Sequence, residues 1–204
     1  MKSNWEVRKE VSQYHFDNNQ MDPRWDTVIP VKQLANTWAD ELQSAIDTSK
    51  PVTWRTRGKP NDVLQRTPEE HAQEEYSLEQ IGMSKDYVVS NLNYNLTPAL
   101  QRVVESFDLD NVRARLHVQW PGQVWNLHID KLELWMPEDP SRVVRYFVQL
   151  KDWEQGHFWN FGNYTWQNWR AGDVVTFDWL NVPHSTANAG LSPRVTLQVT
   201  GVRR

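Results

Sequence analysis

The sequence predicts a mainly β fold, a sandwich or barrel of short strands with helices packed on the outside of one sheet. From about Asn111 onward, apolar and polar residues alternate with a period of two, which is typical of strands. Turn signals at Pro121-Gly122 and Gly162-Asn163 divide this part into short runs, of which residues 143–150 (VVRYFVQL) are strongly β-prone.

Helical spacing is confined to the first half of the chain. An apolar stripe with a four-residue period predicts a helix over residues 31–46. The stripe consists of Leu34, Trp38, Leu42 and Ile46. Thr67-Pro68 and Thr97-Pro98 each combine a capping residue with a proline at the first helical position. We therefore expect a single domain, residues 1–204, in which a helix-rich part (about 1–110) supports a β core (about 111–204).

Composition excludes several classes of protein. The 204 residues are 39% hydrophobic and carry a net charge of -4, which predicts a globular chain without the basic footprint of a nucleic-acid-binding protein. No apolar run approaches the length of a membrane span, and the N-terminus lacks the apolar core of a signal peptide. Cysteine is absent, which excludes disulfides and thiolate metal sites and fits a cytoplasmic location. Oligomeric state is left open.

Tryptophan is unusually frequent, with 12 residues, seven of them between Trp120 and Trp169. Large aromatic side chains usually fill a core, and that is the default interpretation for each of them. The alternative is an aromatic-walled pocket, for which Trp135, Trp159 and Trp179 are the candidates.

The stretch Asn126-Leu127-His128-Ile129-Asp130 contains the first candidate for a metal site. On a strand, residues two apart project to the same face, so His128 and Asp130 are expected to point together. A second histidine, His184, follows 54 residues after Asp130 at another strand-like run. Two histidines and one carboxylate suit ferrous iron and leave coordination positions open.

An arginine follows the second histidine at a distance of ten residues. Arg194 begins the last strand-like run and shares a face with Thr196. A guanidinium binds a carboxylate through two parallel hydrogen bonds, and a neighbouring hydroxyl adds a third. A buried arginine beside a metal therefore implies an anionic ligand.

The ordered set His128-x-Asp130, His184 and Arg194-x-Thr196 resembles the Fe(II)- and 2-oxoglutarate-dependent dioxygenase superfamily. The resemblance covers residues 116–204, and residues 1–100 have none. It implies a double-stranded β-helix, a cupin-like jelly roll, with His128, Asp130 and His184 as the catalytic iron ligands. It also implies that Arg194, assisted by Thr196, binds 2-oxoglutarate, and that O₂ is the co-oxidant.

Within this superfamily the chain is similar to the proline hydroxylase and aspartyl/asparaginyl hydroxylase groups. That similarity implies hydroxylation of an amino acid, a peptidyl residue or another small molecule. The sequence contains no motif that distinguishes among these substrates. The interpretation does not name the prime substrate, because one fold serves many substrates.

The alternation of faces along each strand predicts further residues of the site. Tyr146 and Asn126 are candidate cosubstrate contacts, since Asn126 shares a strand face with His128. Gln119 is a candidate for the mouth of the pocket. Trp125 is expected to face away from the ligands, and Arg145, opposite Tyr146, is expected to be solvated. His117 and His157 lack a partner pattern and are not expected to be ligands.

Two other functions remain open at this point. A cupin-like metalloenzyme of another class, such as an isomerase, uses the same two histidines and one aspartate without a cosubstrate. A non-enzymatic, aromatic-rich module for carbohydrate or peptide uses none of them as ligands. Metal binding would distinguish a metalloenzyme from the non-enzymatic module. Binding of 2-oxoglutarate would distinguish a dioxygenase from the cupin-like metalloenzyme of another class.

Overall fold

The computed structural model describes residues 28–53, Gly82, Ser84 and residues 86–204. In chain order the strands of this part are β1 (Val28–Gln33), β2 (Lys50–Thr53), β3 (Val88–Asn93), β4 (Leu109–Gln119), β5 (Val124–His128), β6 (Val143–Gln149), β7 (His157–Phe161), β8 (Tyr164–Trp166), β9 (Asp173–Phe177), β10 (His184–Asn188) and β11 (Arg194–Arg203). The α-helices are α1 (Ala39–Asp47) and α2 (Pro98–Glu105), and two 3-10 turns cover Glu133–Trp135 and Pro140–Arg142.

The strands form two antiparallel sheets. The larger sheet has the order β1-β9-β6-β11-β4-β3-β2, and the smaller has the order β5-β10-β7-β8. Phe147 of the larger sheet packs edge-on against Trp159 of the smaller one, so the two sheets face each other. The chain is thus mainly β with few helices, and its fold is a jelly roll, as the sequence predicts.

β11 shows how the alternating pattern builds this architecture. Its odd-numbered residues Val195, Leu197 and Val199 are buried under the helices. Its even-numbered residues begin with Arg194, whose guanidinium lies over the Trp159 ring of the smaller sheet. We call the side of the larger sheet that faces the smaller sheet the inner face, and the opposite side the outer face.

Both helices cover the outer face. Their apolar residues join β4, β6 and β11 in one buried cluster, as expected for amphipathic helices on a sheet. The helical members are Leu42, Ala45 and Ile46 of α1 and Ala99, Leu100 and Val103 of α2. The helix predicted to start at Thr97-Pro98 is confirmed, whereas the one predicted to start at Thr67-Pro68 lies outside the described residues.

Aromatic residues fill part of the space between the sheets. Phe147, Phe177 and Phe161 pack with Trp159 and Trp169 in a second buried cluster. Most of the tryptophans of the second half are therefore core residues, which agrees with the default interpretation. Within the described residues, neither helix has the length and apolar character that crossing a membrane requires.

The first predicted helix is too long at its N-terminal end. Val28–Gln33 forms β1, which pairs with β9, and α1 begins only at Ala39. Strand pairing outweighs the helical stripe here, because it satisfies the backbone of an edge segment that includes Pro30. Trp38 is still completely buried, and its Nε1 donates to the carbonyl of Leu150.

The N-terminal part contributes more than supporting helices. β1, β2 and β3 all belong to the seven-stranded sheet, where β3 pairs with β4. These three strands add to the helices that the sequence predicts for the N-terminal part. The division of one domain at about residue 110 stays a prediction.

Candidate metal centre

His128 and His184 face each other across two paired strands. They are register partners on β5 and β10, and their ring centroids lie 4.2 Å apart. Asp130 Oδ1 lies 3.9 Å from His128 Nε2, and Asp130 Oδ2 lies 3.9 Å from His184 Nε2. One ligand atom from each residue lies within 4.8 Å of the others, and all three side chains are buried. This donor set fits a divalent ion bound on one face.

Strand periodicity does not determine the position of Asp130. β5 ends at His128, and Asp130 lies in an irregular segment before the first 3-10 turn. The strand expected to carry both His128 and Asp130 therefore ends at His128. What holds the carboxylate is an ion pair, in which Arg145 Nη1 lies 2.6 Å from Asp130 Oδ1.

The ring of His128 is oriented by the main chain. Its Nδ1 lies 2.6 Å from the carbonyl oxygen of Asn126. A proton on Nδ1 donates to this carbonyl, which leaves the lone pair of Nε2 directed toward Asp130 and His184. Asn126 therefore supports the centre through its backbone, and its predicted side-chain contact with a cosubstrate stays a prediction.

Trp125 lies on the ligand side of β5, contrary to the expectation from parity. The register between β5 and β10 shifts between His184 and Thr186, so Trp125 pairs with Thr186 while His128 pairs with His184. Such a bulge changes which residues share a face. The Trp125 ring accordingly lies 6.0 Å from that of His128 and 5.2 Å from that of His117, measured between centroids.

The faces of β6 are also exchanged relative to the sequence prediction. Tyr146 lies on the outer face, where its ring stacks on Phe107 at 4.8 Å, so its hydroxyl is on the wrong side of the sheet for the centre. Arg145, expected to be solvated, is buried on the inner face. Its Nε donates to Thr200 Oγ1 at 3.0 Å, while Nη1 holds Asp130.

The charges around Asp130 keep it ionised. Burial by itself raises the pKa of this carboxyl, but the charge and hydrogen bond of Arg145 lower it, and so do His184 and His128 whenever their rings are protonated. The net result is a pKa below the ordinary range of an aspartate. A carboxylate in this state is available as a metal ligand at neutral pH.

Arg194 forms the second part of the site. It is 1% exposed, and its Nε and Nη2 donate to Gln119 Oε1 at 3.0 and 2.7 Å. Its Nη1 donates to Thr196 Oγ1 at 3.3 Å, and its guanidinium lies 4.6 Å from the centroid of Trp159. No carboxylate of the described residues pairs with it. Burial lowers the pKa of Arg194 to about 9, so it remains a cation at neutral pH.

Three further polar atoms around Arg194 have no hydrogen-bond partner among the described residues. They are Gln149 Nε2, Trp159 Nε1 and Thr186 Oγ1, all buried. Gln149 accepts from Thr196 through its other atom, Oε1, at 3.1 Å, and Thr186 is the register partner of Trp159. Each unsatisfied buried group costs about 1–3 kcal/mol, so this pocket is suited to a ligand that supplies acceptor oxygens. A carboxylate has that chemistry and the charge that complements Arg194.

The arginine pocket and the metal centre are neighbours on the same strand. Thr186, in the pocket, lies two residues after His184 on β10, and both are buried. Two residues of a strand span about 7 Å. A short dicarboxylate can therefore place one carboxylate at Arg194 and the other at the metal position.

The remaining candidates take structural positions. Gln119 is fully buried and holds Arg194, so it does not line an exposed mouth; its register pairing with Arg194 is the signal that reveals this role. Trp179 is buried and donates to the carbonyl of Val143, so it belongs to the core. Trp135 is half-buried and packs against the aromatic cluster. His157 lies outside the group of three that could hold a metal, as expected.

No protein-family model matches this chain, and neither does any curated protein. Among solved structures, SnoN, a non-heme α-ketoglutarate-dependent epimerase from nogalamycin biosynthesis, is 10% identical with a TM-score of 0.55. That similarity covers 98% of this chain and 82% of SnoN. At this identity it shows a shared fold.

Two further solved structures have lower scores. A prolyl-4-hydroxylase from Pseudomonas putida is 16% identical with a TM-score of 0.45, over 80% of this chain and 99% of the hydroxylase. A predicted oxalate decarboxylase from Thermotoga maritima is 16% identical with a TM-score of 0.37, over 55% of this chain and 80% of the other.

Proposed function

We propose that the protein is an Fe(II)- and 2-oxoglutarate-dependent dioxygenase, a hydroxylase that acts on an amino acid, a peptidyl residue or another small molecule. The observation that carries this proposal is that two features lie side by side, two residues apart along β10. One is the buried set of His128, Asp130 and His184. The other is Arg194, a buried cation without a carboxylate partner in the described chain, surrounded by unsatisfied donors.

His128, Asp130 and His184 would hold the metal, and Arg194 would bind the distal carboxylate of 2-oxoglutarate. When bound, iron and 2-oxoglutarate supply the activation of O₂ that oxidises the substrate, with succinate and CO₂ as co-products. The protein's own part is orientation. Arg145 fixes the carboxylate of Asp130, and the carbonyl of Asn126 directs the ring of His128.

The arginine pocket is preorganised in the same way. Gln119 accepts two hydrogen bonds from Arg194 and thereby fixes the plane of its guanidinium. Thr196 links Arg194 to Gln149 in a short chain of hydrogen bonds. On the opposite side of the centre, Phe161 and Phe177 pack against the ring of His184 and exclude water from it.

The test is an anaerobic titration of the Fe(II)-loaded protein with 2-oxoglutarate. Chelation of iron by the cosubstrate produces a visible charge-transfer band, and admission of air should then yield succinate. We expect His128→Ala and His184→Ala to lose metal binding and succinate formation. His157→Gln is the matched control, because His157 is a buried histidine outside the group of three.

Two results would contradict the proposal in different ways. Fe(II) binding without a 2-oxoglutarate band would favour a cupin-like metalloenzyme of another class. Absence of any bindable divalent ion in the folded protein would favour a non-enzymatic binding module.

A further inference from the structure

Two arginines flank the central strand of the larger sheet on its inner face. Arg115 on β4 donates from Nε to Gln198 Oε1 at 2.5 Å, and Arg145 on β6 donates from Nε to Thr200 Oγ1 at 3.0 Å. Gln198 and Thr200 are consecutive inner-face positions of β11. Since neighbouring strands lie about 4.8 Å apart, the backbones that carry the two arginines are separated by about 10 Å.

The charge of Arg115 is not compensated within the described residues. Arg145 is paired with Asp130, but the contacts of Arg115 are the neutral groups Gln198 and the hydroxyl of Tyr94, which lies 3.5 Å from Nη1. Arg115 also faces other cations. On the same inner face, Thr200 lies between its register partners Arg113 of β4 and Arg145 of β6. An anion at Arg115 would relieve this repulsion.

The ligands of the proposed reaction do not supply that anion. One carboxylate of 2-oxoglutarate is assigned to Arg194 and the other to the metal, while Asp130 is shared by the metal and Arg145. Arg115 is also more accessible than these groups, since its side chain is only half-buried. Its position therefore suits a group that enters from solvent with the prime substrate.

We propose that Arg115 binds a carboxylate of the prime substrate, so that the substrate is a small carboxylic acid such as a free amino acid. This inference rests on the proposed function and deepens it by naming the substrate class. Bidentate pairing between guanidinium and carboxylate fixes both the position and the orientation of the acid. The carbon that reacts then lies between Arg115 and the metal ligands, and peptidyl residues, whose carboxylates are amidated, are disfavoured.

The experiment uses the full chain loaded with Mn(II) and saturated with 2-oxoglutarate. Calorimetric titrations with free L-amino acids and other small carboxylic acids are compared with titrations of the corresponding primary amides. We expect acids to bind and their amides to bind more weakly. In Arg115→Gln, acid binding should weaken roughly tenfold to a hundredfold, the loss of a charge-assisted hydrogen-bond pair, and Arg115→Lys should retain part of it. Arg142→Gln is the control, because within the described part of the chain Arg142 donates only to the carbonyl of Arg203.

The Fe(II) and 2-oxoglutarate band separates failure of this inference from failure of the proposed function. If the wild-type protein lacks the band, the proposed function and this inference both fail. If the band is present in wild type and in Arg115→Lys, three results each overturn only the present inference. They are equal binding of acid and amide, acid binding undiminished in Arg115→Gln, and an absence of binding by every acid tested.

Discussion

Arg145 Nη1 lies 2.6 Å from Asp130 Oδ1, and both side chains are buried. The pair joins an irregular segment after β5 to the middle of the larger sheet. It thereby sets where the carboxylate of the metal centre lies, with Oδ2 turned toward His184 at 3.9 Å.

Removing Arg145 should destabilise the metal-free protein. Arg145→Leu leaves the carboxylate of Asp130 buried without its cation, and breaking a buried pair in this way costs about 3–5 kcal/mol of unfolding free energy. Urea denaturation without metal measures the loss. Arg204→Leu, which removes an exposed ion pair with Asp108, should cost much less, and equal losses in the two variants would contradict the structural role of Arg145.

Arg194→Met should weaken 2-oxoglutarate binding and spare the metal. Truncating one partner of a buried charge pair costs about 2–5 kcal/mol, which is roughly a 30-fold or larger loss of affinity. Calorimetry with 2-oxoglutarate, and separately with Mn(II) alone, distinguishes the two ligands. A 2-oxoglutarate affinity within twofold of wild type would exclude Arg194 as the anchor.

Trp159→Phe tests a single hydrogen-bond donor. The substitution keeps an aromatic ring beneath Arg194 and removes Nε1, which has no hydrogen-bond partner in the described part of the chain. If Nε1 donates to the cosubstrate, its loss costs about 1 kcal/mol, so 2-oxoglutarate should bind roughly fivefold more weakly. Trp166→Phe, in the same aromatic cluster, should bind it as wild type does. If the two variants bind 2-oxoglutarate with the same affinity, Trp159 Nε1 does not donate to the cosubstrate.

Tyr146→Phe and Thr196→Val form a contrasting pair. The hydroxyl of Tyr146 is on the outer face, so its loss should leave 2-oxoglutarate affinity unchanged. The hydroxyl of Thr196 bonds both Arg194 and Gln149, so its loss should weaken binding several-fold. Calorimetric titration of both variants with 2-oxoglutarate measures these effects. A larger loss of affinity in Tyr146→Phe than in Thr196→Val would indicate that Tyr146 contacts the cosubstrate.

His157 should make stability depend on pH. Its Nε2 donates to the carbonyl of Ser192 at 3.1 Å, and its Nδ1 accepts from the amide of Glu154 at 3.4 Å, which requires the neutral ring. Burial lowers the pKa of His157, and the Ser192 carbonyl offsets this only in part. Because the unfolded chain binds the proton more readily, the stabilising contribution is complete above pH about 6.5 and falls as the pH decreases toward the folded pKa.

Urea unfolding at several pH values between 5 and 8 measures this effect. The slope due to one histidine is at most about 1.4 kcal/mol per pH unit. His157→Gln should have a smaller slope than wild type, with the other histidines contributing equally to both proteins. Equal slopes would show that His157 titrates alike in the folded and unfolded states.

The sequence predicts the fold well where a strand has one polar and one apolar face. β11 alternates cleanly, and the turn before it is marked by Pro193, so the position of Arg194 and Thr196 follows from periodicity alone. β6 is different because its polar and apolar residues do not alternate: the apolar Val143 and Phe147 share the inner face with Arg145. A polar residue on such a strand can face solvent or a polar interior, so the pattern alone does not predict that Arg145 faces inward and Tyr146 outward.

Other features depend on contacts that no local pattern records. The bulge that brings Trp125 beside His128 has no glycine to mark it. The short spacing of His128 and Asp130 suggested one strand, yet the carboxylate is placed by Arg145, which is 15 residues away in the chain. β1 exists because β9 offers it an edge to pair with, and this information is distributed over the whole fold.

The alternation of β11 also limits how this protein can change during evolution. One residue inserted after Arg194 would reverse the faces of the residues on one side of the insertion. Either Arg194 or the apolar residues beneath the helices would then lie on the wrong side of the sheet. Substitutions leave the register intact. We therefore expect natural variants to differ in the lengths of the turns around β11, while the spacing from Arg194 to Thr200 stays constant.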